Sequence, residues 1–336
     1  MKTKFIVVGS GSMGRRRIRH ALELTGGEVA VYDLRDDRMD EMSEKFDVTR
    51  LNGVADFQEF APDAIFICVP PSDHEIYMEW AIEHGVHFMV EQPISDHPDN
   101  LASIRKRAKD KGLITHVSNN HRFSAETQAL KGIIESGELG RIMSAIVERG
   151  EWLPDWHPYE PYTDYYPSKR SMGGGLDSIC DVSWLRYLFG DVRRSVSLGS
   201  RRSNLDIDTD DIVQMVLDFE TGPQVILHTD MLQRKYAGEV KLVFEKGTLT
   251  HSAPDPFISV YSIETDVWEK RALADNRDDL PSMKGKADFN FVEPMYVRDA
   301  AYFLDHLKRR DANTNSLDDG ITNLDLVYRL VRGASG

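Results

Sequence analysis

The stretch Lys4-Phe-Ile-Val-Val-Gly-Ser-Gly-Ser-Met-Gly14 narrows the possible folds of this chain more than any other. An apolar, strand-forming run meets three glycines in the pattern G-x-G-x-x-G, at Gly9, Gly11 and Gly14, and a helix-like segment from Arg15 to Leu24 follows. A lone pattern of this kind is weak, but a strand-turn-helix context gives it physical meaning. The first glycine allows the tight turn, the second lets backbone approach a pyrophosphate, and the third lets helix and strand pack closely. The exposed N–H groups at the helix start, around Ser12 and Met13, then bind phosphates.

A second β-rich run, Glu28-Val-Ala-Val-Tyr-Asp33, ends in an acid 19 residues after Gly14. That is where a dinucleotide fold places a carboxylate to accept hydrogen bonds from a ribose. A solvated loop acid after an unrelated strand is the alternative for Asp33. Arg35 and Arg38 follow closely and suit a 2′-phosphate, so the expectation is NAD, with NADP left open.

A formal charge of −14 argues against a nucleic-acid surface, which needs clustered Lys and Arg. The one basic cluster, Arg15-Arg16-Arg17, is expected beside cofactor phosphates or in solvent. Two cysteines, Cys68 and Cys180, indicate no disulfide framework. The opening residues run straight into a strand, leaving no room for a signal peptide, and no apolar run approaches bilayer length. The expectation is a cytoplasmic protein with no membrane partner.

From residue 1 to about 120, strand and helix alternate. The run Ala64–Val69 is continuously apolar, as for a strand buried on both faces. Segments 73–84 and 100–111 read as helices, and 86–90 and 114–117 as strands. This alternation implies a parallel, doubly wound sheet, whose ligands bind beyond the carboxyl ends of its strands. Gly9, Asp33, Pro70, Glu91 and Asn119 stand at those ends. After residue 120, helices over 124–136 and 176–189 mix with strand-like runs at 142–148, 195–199, 212–219, 225–229, 240–244, 257–263 and 267–272. Many alternate apolar and polar residues, as a sheet with one wet face does. A helix over 294–309 precedes a short tail helix. The fold class is thus α/β. A Rossmann doubly wound parallel sheet over 1–120 is followed by a C-terminal α+β domain with a mostly antiparallel, open-faced sheet over 121–336. The last helices are available to pack back on the first domain.

These residues resemble the glucose–fructose oxidoreductase/inositol dehydrogenase/MocA family of sugar dehydrogenases. The carrying motifs are the glycine turn, Ile65-Phe-Ile-Cys-Val-Pro-Pro-Ser-Asp-His74, Ala81–Pro93, Arg122-Phe123, Gly137-Glu-Leu-Gly140, Gly173-Gly-Gly-Leu-Asp177 and the final Tyr296 helix. Two further segments, Trp152–Pro158 with Tyr162-x-x-Tyr-Tyr166 and His228–Arg234, resemble a branch associated with surface-polysaccharide and sialic-acid-type sugar pathways. The resemblance implies a cofactor site that also includes Val69, Pro70, His74, Glu91, Gln92 and Asn119. It implies a sugar or nucleotide-sugar substrate, and a homodimer or homotetramer formed through the open sheet.

Two departures matter. The family signature is Glu-Lys-Pro, whose lysine hydrogen-bonds the substrate hydroxyl and cofactor ribose and helps move the proton. Here the residues are Glu91-Gln92-Pro93, and a neutral amide has no titratable proton near pH 7. The family also places a histidine one helical turn after an aspartate. Here Asp177-Ser-Ile-Cys-Asp181 puts Cys180 or Asp181 at that place, depending on the alignment. Asp177 and Asp181, at i and i+4 of a helix, would share a face, and paired carboxylates push one pKa up, which makes Asp181 a candidate base. Other proton carriers are His157, Tyr165 and Tyr166, in an aromatic loop with Trp156 that suits stacking on a sugar ring or simply packs. His121 beside Arg122 is a further candidate, and His228 fits a structural role. No His/Cys/Asp group shows metal-ligand spacing.

The leading expectation is hydride transfer between a nicotinamide cofactor and a sugar carbon, with Gln92 orienting substrate. A cofactor-binding relative without turnover is the alternative, as is a hydrolase or epimerase that keeps its cofactor.

Overall fold

The computed structural model describes residues 2–157, 160–274, 293–311 and 313–332. The chain divides into two compact units. One comprises Met1–Asn120, Ser171–Gly173 and Asn276–Asp325; the other comprises His121–Arg170, Gly174–Asp275 and Leu326–Gly336.

In the first unit, β1 (Lys4–Val8), α1 (Ser12–Thr25), β2 (Glu28–Tyr32), α2 (Asp36–Lys45), β3 (Thr49–Arg50), α3 (Ala55–Phe60), β4 (Ala64–Ile67), α4 (His74–His84), β5 (His87–Val90), α5 (Leu101–Asp110) and β6 (Thr115–Val117) alternate along the chain. All strand pairs are parallel, in the order β3-β2-β1-β4-β5-β6. This is the order of a dinucleotide-binding sheet, and its topological switch point falls between β1 and β4. Phe5, Val7, Ala64 and Phe66 are buried, as strands with helices on both faces require. Gly26, Gly85 and Gly137 end α1, α4 and α6 (Ala125–Ser136, in the second unit) with positive φ, the conformation in which glycine has no Cβ penalty.

The second unit continues with β7 (Ile142–Gly150), α7 (Ile179–Phe189), β8 (Val192–Ser200), β9 (Ile212–Phe219), β10 (Gln224–Asp230), β11 (Ala237–Phe244), β12 (Gly247–Ala253), β13 (Phe257–Ser262) and β14 (Val267–Ala272). They form one eight-stranded sheet, β14-β13-β12-β11-β7-β10-β9-β8, antiparallel except where β10 lies parallel to β7. Along β9 and β11 burial alternates residue by residue, so one face is packed and the other wet. On the packed face Phe189 of α7 meets Phe219 edge-on, with ring centroids 5.4 Å apart. The open face carries an apolar row set by register: Val196 opposite Val216, Val216 opposite Ile226, and Ile226 opposite Ile146. Helices α8 (Glu293–Arg309) and α9 (Leu317–Arg332) close the described chain.

The expected helix over 176–189 begins instead at Ile179. Gly173 and Gly175 both have positive φ, and Leu176–Ser178 form the turn that leads into α7. Asp177 therefore precedes the helix and shares no helical face with Asp181, which corrects the i, i+4 expectation. Elements α2, α3, β3 and β12 have no counterpart in the sequence reading.

Candidate functional site

The glycine turn is built as its chemistry needs. Gly9 has φ +86°, and a Cβ there would stand 2.7 Å from the Cys68 carbonyl oxygen. A Cβ on Gly14 would run into the Gly9 carbonyl. Gly11 is the open position: its nearest neighbour is the Arg38 guanidinium, 3.4 Å from where a Cβ would lie. Gly11 caps α1 without a side-chain hydrogen bond, and no acid stands in the first turn, which opens with Ser12 and Met13. An uncapped helix start behind a glycine cradle fits a dinucleotide's phosphates. Asp33 braces the turn: Oδ2 accepts from the Ser10 N–H at 2.7 Å and from its hydroxyl at 2.9 Å. Arg35 is engaged by Asp37 through both Nε and Nη2.

Along the other strand ends, His74 is buried and its Nε2–H donates to the Val69 carbonyl at 2.7 Å, which ties the loop through Pro70 to α4. Burial lowers its pKa to about 4, so the ring is neutral. Glu91 accepts at 2.6 Å from Nε of Arg17. Arg17 is fully buried, which overturns the phosphate-or-solvent expectation for this arginine; Arg15 pairs with Glu41, and Arg16 with Glu293. Nη2 of Arg17 also donates to Ser118 Oγ (2.8 Å) and Asp299 Oδ2 (3.0 Å). Asp299 in turn accepts from His116 Nε2 (2.9 Å) and the Asn119 N–H (3.3 Å). Burial alone would raise the Asp299 pKa, but His116 and Arg17 hold it down at about 2. Gln92 is half-buried, and its amide N–H donates to Asn119 Oδ1. Ser118, His116 and Asp299 were missed in the sequence and Arg17 was misplaced, because nothing local marks an arginine in a basic run as buried.

In the second unit, Asp177 stands out. The residue is partly exposed, yet both carboxylate oxygens are enclosed and have no hydrogen-bond partner among the described residues. Burial pushes its pKa up to about 6, while the nearby Tyr166 hydroxyl and the N–H groups of Asp177 and Gly175 pull the other way. Asp181, in contrast, has partners. It accepts from Trp184 Nε1 at 3.2 Å and lies 3.5 Å from Arg149 Nε, and Arg149 also donates to Glu126 at 2.9 Å. The cause of the raised Asp177 pKa is burial rather than a carboxylate pair.

The aromatic loop packs. Tyr165 is buried among Leu153, Leu205, Ile207 and Met231, with Trp156 against that cluster. Its hydroxyl donates to the backbone carbonyls of His157 and Glu160, and its ring meets His157 edge-on. Buried Arg122 donates to the Ser183 carbonyl at 3.3 Å and lies over the Tyr187 ring. Burial lowers the pKa of His121, and His228 donates to Asp230 at 2.9 Å. Among the described residues no group of three or more His, Cys, Asp or Glu side chains could hold a metal ion, and no helix is long and apolar enough to cross a membrane.

Residues 3–119 match the family model described as "Oxidoreductase family, NAD-binding Rossmann fold", and residues 127–250 match the GFO/IDH/MocA C-terminal domain. The chain belongs to the GFO/IDH/MocA family. It is 25% identical over 236 residues to the uncharacterized oxidoreductase YrbE of Bacillus subtilis, covering 66% of this chain and 65% of that protein. It is 27% identical over 207 residues to inositol 2-dehydrogenase 2 of Mycolicibacterium vanbaalenii, covering 59% and 56%. The matched region thus spans less than two thirds of either relative. The structure of levoglucosan dehydrogenase in complex with NADH and levoglucosan superposes with a TM-score of 0.82 at 17% identity, over 100% of this chain and 98% of that one. Within the GFO/IDH/MocA framework, the N-terminal unit is an NAD-binding Rossmann domain. Gln92 occupies the middle of the Glu-x-Pro turn in this family member.

Proposed function

We propose that this GFO/IDH/MocA protein is an NAD-dependent oxidoreductase that oxidises a hydroxyl-bearing carbon of a sugar or nucleotide-sugar, or reduces the corresponding ketone. Residues 1–120 carry the cofactor and residues 121–336 the substrate and the oligomer contacts. The observation that carries the reading is Asp177, an enclosed carboxyl whose pKa burial raises to about 6. A general base works best when its pKa lies near the working pH. When bound, the nicotinamide supplies the hydride chemistry. The Asp177 carboxylate takes the hydroxyl proton in the oxidising direction and returns it in the reducing one. Gln92 orients the substrate hydroxyl. The turn at Gly9, Gly11 and Gly14, with Ser12, Met13 and Asp33, holds the dinucleotide, and the engagement of Arg35 by Asp37 favours NAD over NADP.

Relatives named for inositol and levoglucosan support a cyclic polyol or sugar as substrate. The resemblance of Trp152–Pro158 and His228–Arg234 to surface-polysaccharide enzymes supports a nucleotide-sugar in particular. The apolar row from Val196 to Ile146 supports a homodimer or homotetramer through the open sheet face. Trp156, His157 and Arg122 would shape the substrate side.

A second reading, a cofactor binder without turnover, is favoured by Gln92, and by Cys180 or Asp181, where the family resemblance implies lysine and histidine. Turnover by the wild-type protein with any sugar, abolished in Asp177→Asn, supports the first reading. Turnover that appears only in the Gln92→Lys, Cys180→His double variant supports the second.

A further inference from the structure

We infer that Asn119 is a positioning residue that fixes the amide of Gln92 so that its carbonyl oxygen faces outward, adding a hydrogen-bond acceptor that a lysine would not offer at that position. The inference rests on the dehydrogenase reading only for what the acceptor meets; the orientation itself stands on geometry.

The chain of contacts begins at a group whose polarity cannot change. The Val117 carbonyl, at the end of β6, is an acceptor, and the Asn119 side chain donates to it through Nδ2 at 3.3 Å. The Asn119 N–H is held by Asp299 at 3.3 Å, so this buried residue is anchored through both backbone and side chain. With Nδ2 turned to Val117, Oδ1 must face the other way, toward Gln92. An acceptor facing Gln92 draws its Nε2–H, and that bond is present. Each amide is planar, with one oxygen and one NH₂ on opposite sides. Rotating Gln92 by half a turn would set its oxygen against Asn119 Oδ1, and relieving that by rotating Asn119 would set two oxygens together at Val117. Each step leaves a buried polar group unsatisfied, at about 1–3 kcal/mol. The orientation is thus locked in series from a backbone atom.

Gln92 Oε1 is then the outward atom. It has no hydrogen bond to a described residue and is not enclosed. Glu91, its neighbour, is fixed by Arg17, so the residue before Gln92 is anchored as well. The group recognised through Oε1 is a hydrogen-bond donor: a hydroxyl of a sugar or cyclic polyol, in preference to the deoxy analogue, which has nothing to donate there, while the second Nε2–H stays available to an acceptor. Asn119 acts through Gln92 and is not itself catalytic.

Selective ¹⁵N-glutamine labelling of the full chain tests the orientation without ligand, with the Gln92 side-chain resonances assigned by their loss in Gln92→Met. The expected spectrum has one Gln92 amide proton shifted downfield by its bond to Asn119, and that shift is lost in Asn119→Leu. Unchanged Gln92 resonances in Asn119→Leu overturn the inference. The protein–NADH complex is then titrated with a panel of pyranoses and cyclitols and with the deoxy analogues of the best binder. The wild-type preference for the hydroxyl compound should fall roughly fivefold in Asn119→Leu and in the more exposed variant Gln92→Met, the worth of one hydrogen bond. An unchanged preference in Gln92→Met overturns the acceptor role, even if Asn119→Leu fails to fold. Absence of turnover with the downfield shift and the preference intact overturns only the dehydrogenase reading.

Discussion

The Arg17 guanidinium donates to the Glu91 carboxylate at 2.6 Å and to Asp299 at 3.0 Å, with Arg17 and Asp299 fully buried. One helix residue thereby ties the end of β5 to α8. Removing one partner of a buried pair leaves an uncompensated charge and costs about 3–5 kcal/mol.

Arg17→Met is therefore expected to destabilise the protein by about that much, measured by urea denaturation at neutral pH. The acid limb should move too. Asp299 has a depressed pKa of about 2, so the stability it contributes is present above the ordinary carboxylate pKa and is lost as pH falls toward 2. Without Arg17 that loss begins at higher pH. An Arg17→Met protein as stable as wild type would show that the buried pair contributes nothing.

Asp177 has the opposite sign. Its folded pKa is raised to about 6, so the native state holds a proton that the unfolded chain has released, and stability falls as pH rises from about 4 to 6. Asp177→Asn should be more stable than wild type at pH 7.5, by up to about 3 kcal/mol, and no more stable at pH 4. The same group predicts that kcat/KM for oxidation rises through pH 6 to a plateau in the wild-type enzyme.

At the cofactor turn, Gly9→Ala forces a Cβ to within 2.7 Å of the Cys68 carbonyl at a φ of +86°. Loss of NADH binding, read by fluorescence titration, is expected even where the variant folds. Wild type should bind NADH at least about tenfold more tightly than NADPH, a difference of about 1.4 kcal/mol, and Asp33→Ser should narrow the gap. Equal affinity for the two in wild type would contradict the assignment of Asp33.

On the open face, Ile226 and Ile146 are paired by register and exposed. Ile226→Lys should shift the chain toward monomer in sedimentation velocity while leaving its circular dichroism unchanged. A wild-type protein that is already monomeric would count against assembly through this face.

How far the sequence spoke depends on how local each determinant is. Gly9, Gly11 and Gly14 were legible because each meets a backbone requirement within a few residues. Asp299 was not, because its partner Arg17 lies 282 positions away and no pattern near either residue announces burial. The start of α7 was misplaced because the positive φ of Gly173 and Gly175 breaks a run that otherwise reads as helical. Strand β12 escaped because Leu249 is its one large apolar residue. Asp177 was legible as a candidate, but the base expected from a carboxylate pair was Asp181, whereas it is enclosure that marks Asp177.

The most direct test of the central claim is absorbance at 340 nm with NAD and a panel of cyclic polyols, sugars and nucleotide-sugars. Wild type is expected to reduce NAD with at least one of them, and Asp177→Asn to lose that activity while still binding NADH. Tight NADH binding with no absorbance change for any compound, or full activity in Asp177→Asn, would contradict it.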